Sequence, residues 1–183
     1  MASGGFALFD TPIGICGIAW TSHGLCGLQL PEPDRETALA RLARRFPALE
    51  PAAADEIAAV IAQVNAHLAG EAVDYARVKL DFHGIHAFER AVYTAARAIP
   101  FGETRTYGAL AGQLGEPQAA QAVGQALGRN PWPIIVPCHR ITAADGKTGG
   151  FSAAGGVATK LKLLEIEGAL AVERLPLFAT PDS

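Results

Sequence analysis

The apolar residues change their period near residue 30, and that switch constrains the fold more than any other feature of the chain. Ile13 to Trp20 and Leu25 to Leu30 are Gly-rich and β-like, and they flank Thr21-Ser22-His23-Gly24, which reads as a hairpin turn. Beyond them helical spacing dominates. Arg35 to Phe46 sets Leu39, Leu42, Ala43 and Phe46 on one face, and about 53–68 aligns Ile57, Val60, Ile61, Val64 and Leu68 before Gly70. Val73 to Phe82 reads as one more strand, and Gly84 marks a domain boundary.

The second half is richer in punctuation. Phe88, Ala91, Val92, Ala95 and Ile99 form a helical stripe that stops at Pro100-Phe101-Gly102. Thr106 then suits an N-cap for a short helix carrying Tyr107, Leu110, Ala111 and Leu114. Gly115-Glu116-Pro117 supplies a stop and a restart. The next helix, Pro117 to Gly128, should bury Ala120, Val123 and Leu127, and the pair suggests a helix-turn-helix. Its outer face holds Gln121, Gly124, Gln125 and Gly128. Interior glycine costs a helix about 1 kcal/mol relative to alanine. Such a face suits either close approach to DNA or tight helix–helix packing.

Charge argues against a strongly basic, nucleic-acid-coating protein, since 15 Lys and Arg face 18 Asp and Glu. The excess is uneven. Residues 1–83 carry six basic and ten acidic side chains, and 84–183 carry nine and eight, so an anion is better served by the second half. No run of about 18 apolar residues suggests a membrane span. The first ten residues lack the basic and apolar regions of a secretory signal. Cys16, Cys26 and Cys138 are too few and scattered for a disulfide framework, so a reduced, cytoplasmic protein is expected.

The stretch from Asn130 to Ile141 is the candidate site. Three prolines and the apolar Ile134-Ile135-Val136 make a stiff, buried lead-in to Cys138-His139-Arg140. A thiol is a useful nucleophile only as thiolate, which cationic or hydrogen-bonding neighbours favour. The bland alternative is a small buried cysteine that merely packs, and Cys16 and Cys26 keep that reading. No CxxC or HxxxH spacing supports a metal. A last helix, about 157–167, puts Lys160, Leu163, Leu164 and Glu167 on one face. Glu167 stands near the negative end of the helix dipole, where either a buried partner such as histidine or a solvated last turn explains it.

Pro137-Cys138-His139-Arg140, with Asn130-Pro131 and Ile134-Ile135-Val136 before it, resembles the active-site signature of the O6-alkylguanine-DNA alkyltransferases. Matching segments surround it in order: Asp10 to Gly14, Ile99 to Tyr107, Ala119 to Gly124, Gly149-Gly150-Phe151-Ser152, and Lys160 to Gly168. The resemblance spans about 8–170 and is strongest over 99–168. It implies an α/β N-terminal domain with a small antiparallel sheet over 1–83, and an α-helical C-terminal domain with a winged helix-turn-helix over 84–183.

It also implies roles. Cys138 accepts the alkyl group; His139, oriented by Glu167, draws off the thiol proton through a water; Asn130 braces the turn; Tyr107 helps guanine leave. Ala120, Gln121, Val123, Gly124, Gly128, Arg129, Arg140, Phe151 and Ser152 are the expected DNA and base contacts. The lesion would be flipped from duplex DNA from the minor-groove side. No cofactor and no metal are expected, and the protein would act as a monomer on alkylated double-stranded DNA. Gln121 departs from the family, which carries an inserting arginine there; Phe151 stands for a common tyrosine, and Glu89 for a common glutamine. Two rivals stand beside this reading: a lesion-sensing or regulatory DNA-binding protein in which Cys138 is vestigial, and a thiol acceptor for small alkylating compounds with DNA binding weakened by Gln121.

Overall fold

Two glycines make a seat for the first helix on the first sheet. The computed structural model describes residues 4–145 and 155–169. Strands β1 (Gly5–Thr11), β2 (Gly14–Thr21) and β3 (Gly24–Gln29) form an antiparallel sheet in the order β1-β2-β3. On one face lies α1 (Arg35–Arg45), capped by Asp34, whose Oδ1 accepts the Thr37 N–H at 2.7 Å. A Cβ at Gly17 would fall 2.6 Å from a Leu42 methyl, and one at Gly27 would strike the Phe46 ring. A side chain at either place would force Leu42 or Phe46 to shift. Phe6, Ala19 and Leu42 form the small core beneath it.

The opposite sheet face joins the main core. Phe9, Cys16, Ile18, Trp20, Leu25 and Leu28 share one apolar cluster with α2 (Ala58–Leu68), α3 (Ala87–Arg97), α4 (Tyr107–Gln113) and α5 (Ala120–Gly128). An α/β part and a helical part are thus cemented by one interior rather than tethered by a linker. Strands β4 (Arg105–Thr106) and β5 (Ile141–Thr142) form a short parallel pair, and α6 (Gly156–Ile166) ends the described chain. Among the described residues no helix is long and apolar enough to cross a membrane.

Three elements differ from the periodicity. The sheet has a third strand, β1, where the hairpin reading had two. The segment 73–82 is not a strand; it meets the sheet at an isolated Leu25–Leu80 bridge and through the Thr21 hydroxyl, which donates to Asp81 Oδ2 at 2.7 Å. A turn explains this: Asp74 Oδ1 accepts the Ala76 N–H at 2.8 Å, the Val78 N–H closes on the Tyr75 carbonyl at 2.9 Å, and Arg97 Nη2 donates to the carbonyls of Tyr75 and Val78. Helix α5 starts at Ala120 rather than Pro117, since the Ala119 N–H closes a turn on the Glu116 carbonyl at 2.9 Å.

Candidate active site

The prolines between Asn130 and Pro137 rule out helix and ladder, so other groups must hold this segment. Asn130 does so from within: its Oδ1 accepts the Trp132 N–H at 2.9 Å, and its Nδ2 donates to the Val136 carbonyl at 2.9 Å. Strand β3 does so from outside. The Leu28 N–H reaches the Pro131 carbonyl at 2.9 Å, and the Trp132 indole N–H reaches the Leu25 carbonyl at 2.7 Å. Ile134 adopts φ 76°, a left-handed conformation that a β-branched residue adopts only under constraint. Its side chain is buried, so packing sustains the strain.

This turn delivers Cys138 at the start of a 3-10 turn, Cys138–Arg140, with 9% of its surface accessible. Burial pushes the thiol up, while the Asn130 side chain and the Lys160 charge pull it down. Lys160 is itself buried and donates to the Ile141 carbonyl at 2.6 Å. Its Nζ lies 5.9 Å from the Tyr107 ring centre. Cys16 and Cys26 are each pushed up to about 11, chiefly by burial; the Thr11 hydroxyl pulls Cys16 down, and on Cys26 a backbone N–H and the Arg45 charge work against burial and the Asp81 charge.

Behind Cys138 lies a buried polar knot centred on Glu167, the residue that caps α6. Glu167 Oε1 accepts from His139 Nε2 at 2.7 Å, His67 Nε2 at 2.7 Å and Arg140 Nη2 at 2.8 Å. Its Oε2 accepts from Arg140 Nε at 2.9 Å. Burial alone would raise the carboxyl, but the His139, His67 and Arg140 hydrogen bonds overrule it and hold it well below the carboxylate range. Glu167 is therefore ionised, so His139 Nε2 carries the proton. Burial holds His139 below the ordinary imidazole value and keeps the ring neutral. Its Nδ1 is buried with no protein partner among the described residues, a lone pair free to accept a proton.

His67, His139 and Glu167 lie close enough to suggest a metal cage, with ligand atoms within 4.8 Å. The donor set argues otherwise. Both imidazole nitrogens sit at N–H donor distance from the same oxygen, and the Arg140 guanidinium already neutralises that carboxylate.

Comparison with known proteins assigns the family. The family model described as "6-O-methylguanine DNA methyltransferase, DNA binding domain" matches residues 87–169. The methylated-DNA–protein-cysteine methyltransferase of Mycobacterium tuberculosis (strain H37Rv) is 39% identical over 173 residues, covering 94% of this chain and 98% of the relative. The chain belongs to the methylated-DNA–protein-cysteine methyltransferases.

Solved methyltransferase structures agree. The crystal structure of M. tuberculosis OGT in complex with DNA matches with TM-score 0.72 and 38% identity, over 90% of this chain and 92% of that one. The O6-methylguanine-DNA methyltransferase of Pyrococcus kodakaraensis strain KOD1 matches with TM-score 0.69 and 32% identity, over 90% and 99%.

Within this methyltransferase the structure corrects two expected DNA contacts. Arg140 is 5% exposed, pinned on Glu167 and on the Ile99 carbonyl, so it is the knot's internal cation. Val123 is fully buried in the core and can offer no side chain to DNA. Gln121, Gly128 and Arg129 are exposed and Ala120 is half-buried. Arg129 forms an ion pair with Glu89 at 2.7 Å. A Cβ at Gly124 would lie 3.7 Å from the Tyr107 ring, so this glycine fronts Tyr107 in ordinary contact. Phe151 and Ser152 lie outside the described residues. The periodicity missed His67 as a site residue. Three places after Val64 and seven after Val60, it already lay on the buried stripe of α2, which was the available signal.

Proposed function

We propose that this methyltransferase repairs double-stranded DNA by moving the alkyl group of O6-alkylguanine irreversibly onto Cys138. Direct alkyl transfer to a protein cysteine is the activity of its family. The observation that carries the assignment to Cys138 is the buried thiol beside a neutral histidine anchored on an ionised glutamate.

The thiol proton passes through a bridging water to His139 Nδ1, and Glu167 stabilises the imidazolium that results. Sulfur attacks the alkyl carbon, the C–S bond forms, and the C–O6 bond breaks. Tyr107, half-buried at the start of α4, donates its O–H to the departing base, which leaves as neutral guanine. The thioether is inert to water, so each chain reacts once. Asn130 holds the turn that aims the sulfur, and Lys160 supplies positive charge for the thiolate.

The reading divides the chain at 83/84, makes α4 and α5 a winged helix-turn-helix, and places the protein in the cytoplasm as a monomer. M. tuberculosis OGT was crystallised with DNA, which supports DNA as the partner. Helix α5 meets the minor groove through Gln121, Ala120, Gly124, Gly128 and Arg129, and the lesion is flipped into the site, with Phe151 and Ser152 completing the pocket. Incubation with a duplex carrying O6-methylguanine, followed by intact-mass and peptide analysis, tests this directly. One methyl per chain, mapped to Cys138, is expected. Tight binding without transfer would make the protein a lesion sensor; alkylation by free reagents alone would make it a small-molecule acceptor. The uncharged face of α5 and the Glu89–Arg129 pair favour that last reading over the sensor.

Two further results are expected. Gln121→Arg strengthens duplex binding by about 1 kcal/mol, roughly five- to tenfold, because a cation then enters the negative potential of the stack. Unchanged affinity in a titration at fixed salt would remove Gln121 from the interface. The single-turnover rate has an acid limb from protonation of His139. Burial lowers that imidazole, so the limb's midpoint lies below 6.5. A midpoint above 6.5 would exclude His139 as the base.

A further inference from the structure

Helix α2 sends a histidine from the α/β part of the molecule into the catalytic knot. His67 lies 100 residues before Glu167 in sequence, yet its side chain and that of Glu167 are both fully buried against each other. Because Glu167 is ionised, His67 Nε2 carries the proton and donates it at 2.7 Å. Its Nδ1 is then a lone pair, satisfied by the Tyr75 hydroxyl at 2.9 Å. Tyr75 has an alternative acceptor only at 3.5 Å, the Gln63 carbonyl. The donor chain therefore runs one way, from Tyr75 O–H to His67 Nδ1 and from His67 Nε2–H to Glu167.

We infer that His67 is a positioning residue for the alkyl transfer: with Tyr75 it locks the Glu167 carboxylate so that Oε1 stays on His139. The titratable and charged groups that bear on the His67 ring are Tyr75, Glu167, His139 (ring centres 6.3 Å apart) and, through the carboxylate, Arg140; Phe101 closes a further side at 5.3 Å. Arg140 grips both carboxylate oxygens and competes with His139 for them. Without His67, the carboxylate is free to turn within the Arg140 fork that already holds it and to draw Oε1 away from His139, which then loses the anion that stabilises its protonated form. Less thiolate then forms at a given pH. The tautomer of His67 matters equally, since a proton on Nδ1 would turn a lone pair toward the carboxylate. Tyr75 prevents that.

This inference rests on the proposed function only for its consequence in repair, because its test reads the thiol itself. Cys138 reactivity toward iodoacetamide, followed across pH by peptide mapping, reports thiolate formation without DNA. His67→Leu should shift the profile upward and slow both iodoacetamide reaction and alkyl transfer near neutrality by about tenfold, the size of one pKa unit. His67→Gln, whose amide N–H can occupy the place of Nε2–H, should restore the wild-type profile. Tyr75→Phe keeps the ring packing and should shift the profile in the same direction by less. A folded His67→Leu protein with the wild-type profile, or a Gln variant as impaired as Leu, would overturn the inference. If His67→Leu does not fold, an unshifted profile in Tyr75→Phe overturns it instead. Failure of DNA repair with the shifts intact would count against the function and leave His67 in place.

Discussion

Cys138→Ala takes up no methyl group from O6-methylguanine DNA, while it keeps the fold and the wild-type affinity for the duplex. The two other thiols cannot substitute. Cys16 and Cys26 are pushed up to about 11, so near neutrality only about one in ten thousand of either is thiolate. Cys16 has a hydroxyl contact from Thr11 at 3.8 Å, and Cys26 faces the unfavourable charge of Asp81. Cys138 is raised by burial as well, yet it alone has the Asn130 side chain, the Lys160 charge and His139 beside it. Removing one small, almost buried sulfur costs on the order of 1 kcal/mol, so thermal unfolding should shift only slightly. Intact mass after incubation with the damaged duplex checks the loss, and a gel or anisotropy titration checks retained binding. Methyl uptake by the variant would remove Cys138 from the chemistry.

Glu167→Gln is expected to cost about 3–5 kcal/mol of stability and nearly all transfer activity together. The side chain is fully buried and is the sole anion among the groups that meet at its carboxylate. A glutamine cannot match the guanidinium fork: its amide N–H would face an Arg140 N–H, and Arg140 would become an uncompensated buried charge. For a chain of this size the midpoint of thermal unfolding should fall by about 10 °C. A shift of less than about 1 °C would show that the knot is not structural. Combining Glu167→Gln with Arg140→Met separates the two losses. Removing the stranded cation should recover most of the stability, because an apolar residue of similar volume has no desolvation cost to offset. Activity should stay absent, since His139 still lacks its anion.

The pH dependence of stability follows from the same groups. Glu167 is held below its ordinary 4.5, so its stabilisation is complete above that value and fades only as pH falls toward its lowered folded value. His139 is lowered from 6.5, so the unfolded chain binds its proton first, and stability begins to fall as pH drops below 6.5. Histidine protonation therefore weakens the fold before the carboxylate does.

Much of this was legible in the chain itself. The β-like opening, the cap at Thr106, whose hydroxyl accepts the Ala109 N–H at 3.0 Å, and the helical stripes are local properties. Period, capping and turn chemistry act over a few residues, so sequence displays them. The stiff lead-in to Cys138 was visible for the same reason, and so was Glu167 at the end of α6 beside apolar residues. The 73–82 segment failed as a strand because a turn at Asp74 breaks it and distant Arg97 holds the carbonyls of Tyr75 and Val78, and only the second cause lay beyond any local pattern.

Sequence by itself thus singled out the proposed nucleophile, the histidine beside it, and the type of elements that carry them, because adjacency along the chain sets those. Tertiary structure decided which way the side chains face. Arg140 sits next to His139 in sequence, yet it turns inward to neutralise Glu167 rather than outward to DNA. His67 and Glu167 lie 100 residues apart in the chain, yet the imidazole meets the carboxylate at 2.7 Å, on the oxygen that His139 also holds. That convergence depends on α2 and α6 packing into one shared interior, where a buried anion must gather every donor within reach, and only the packed molecule brings those donors together.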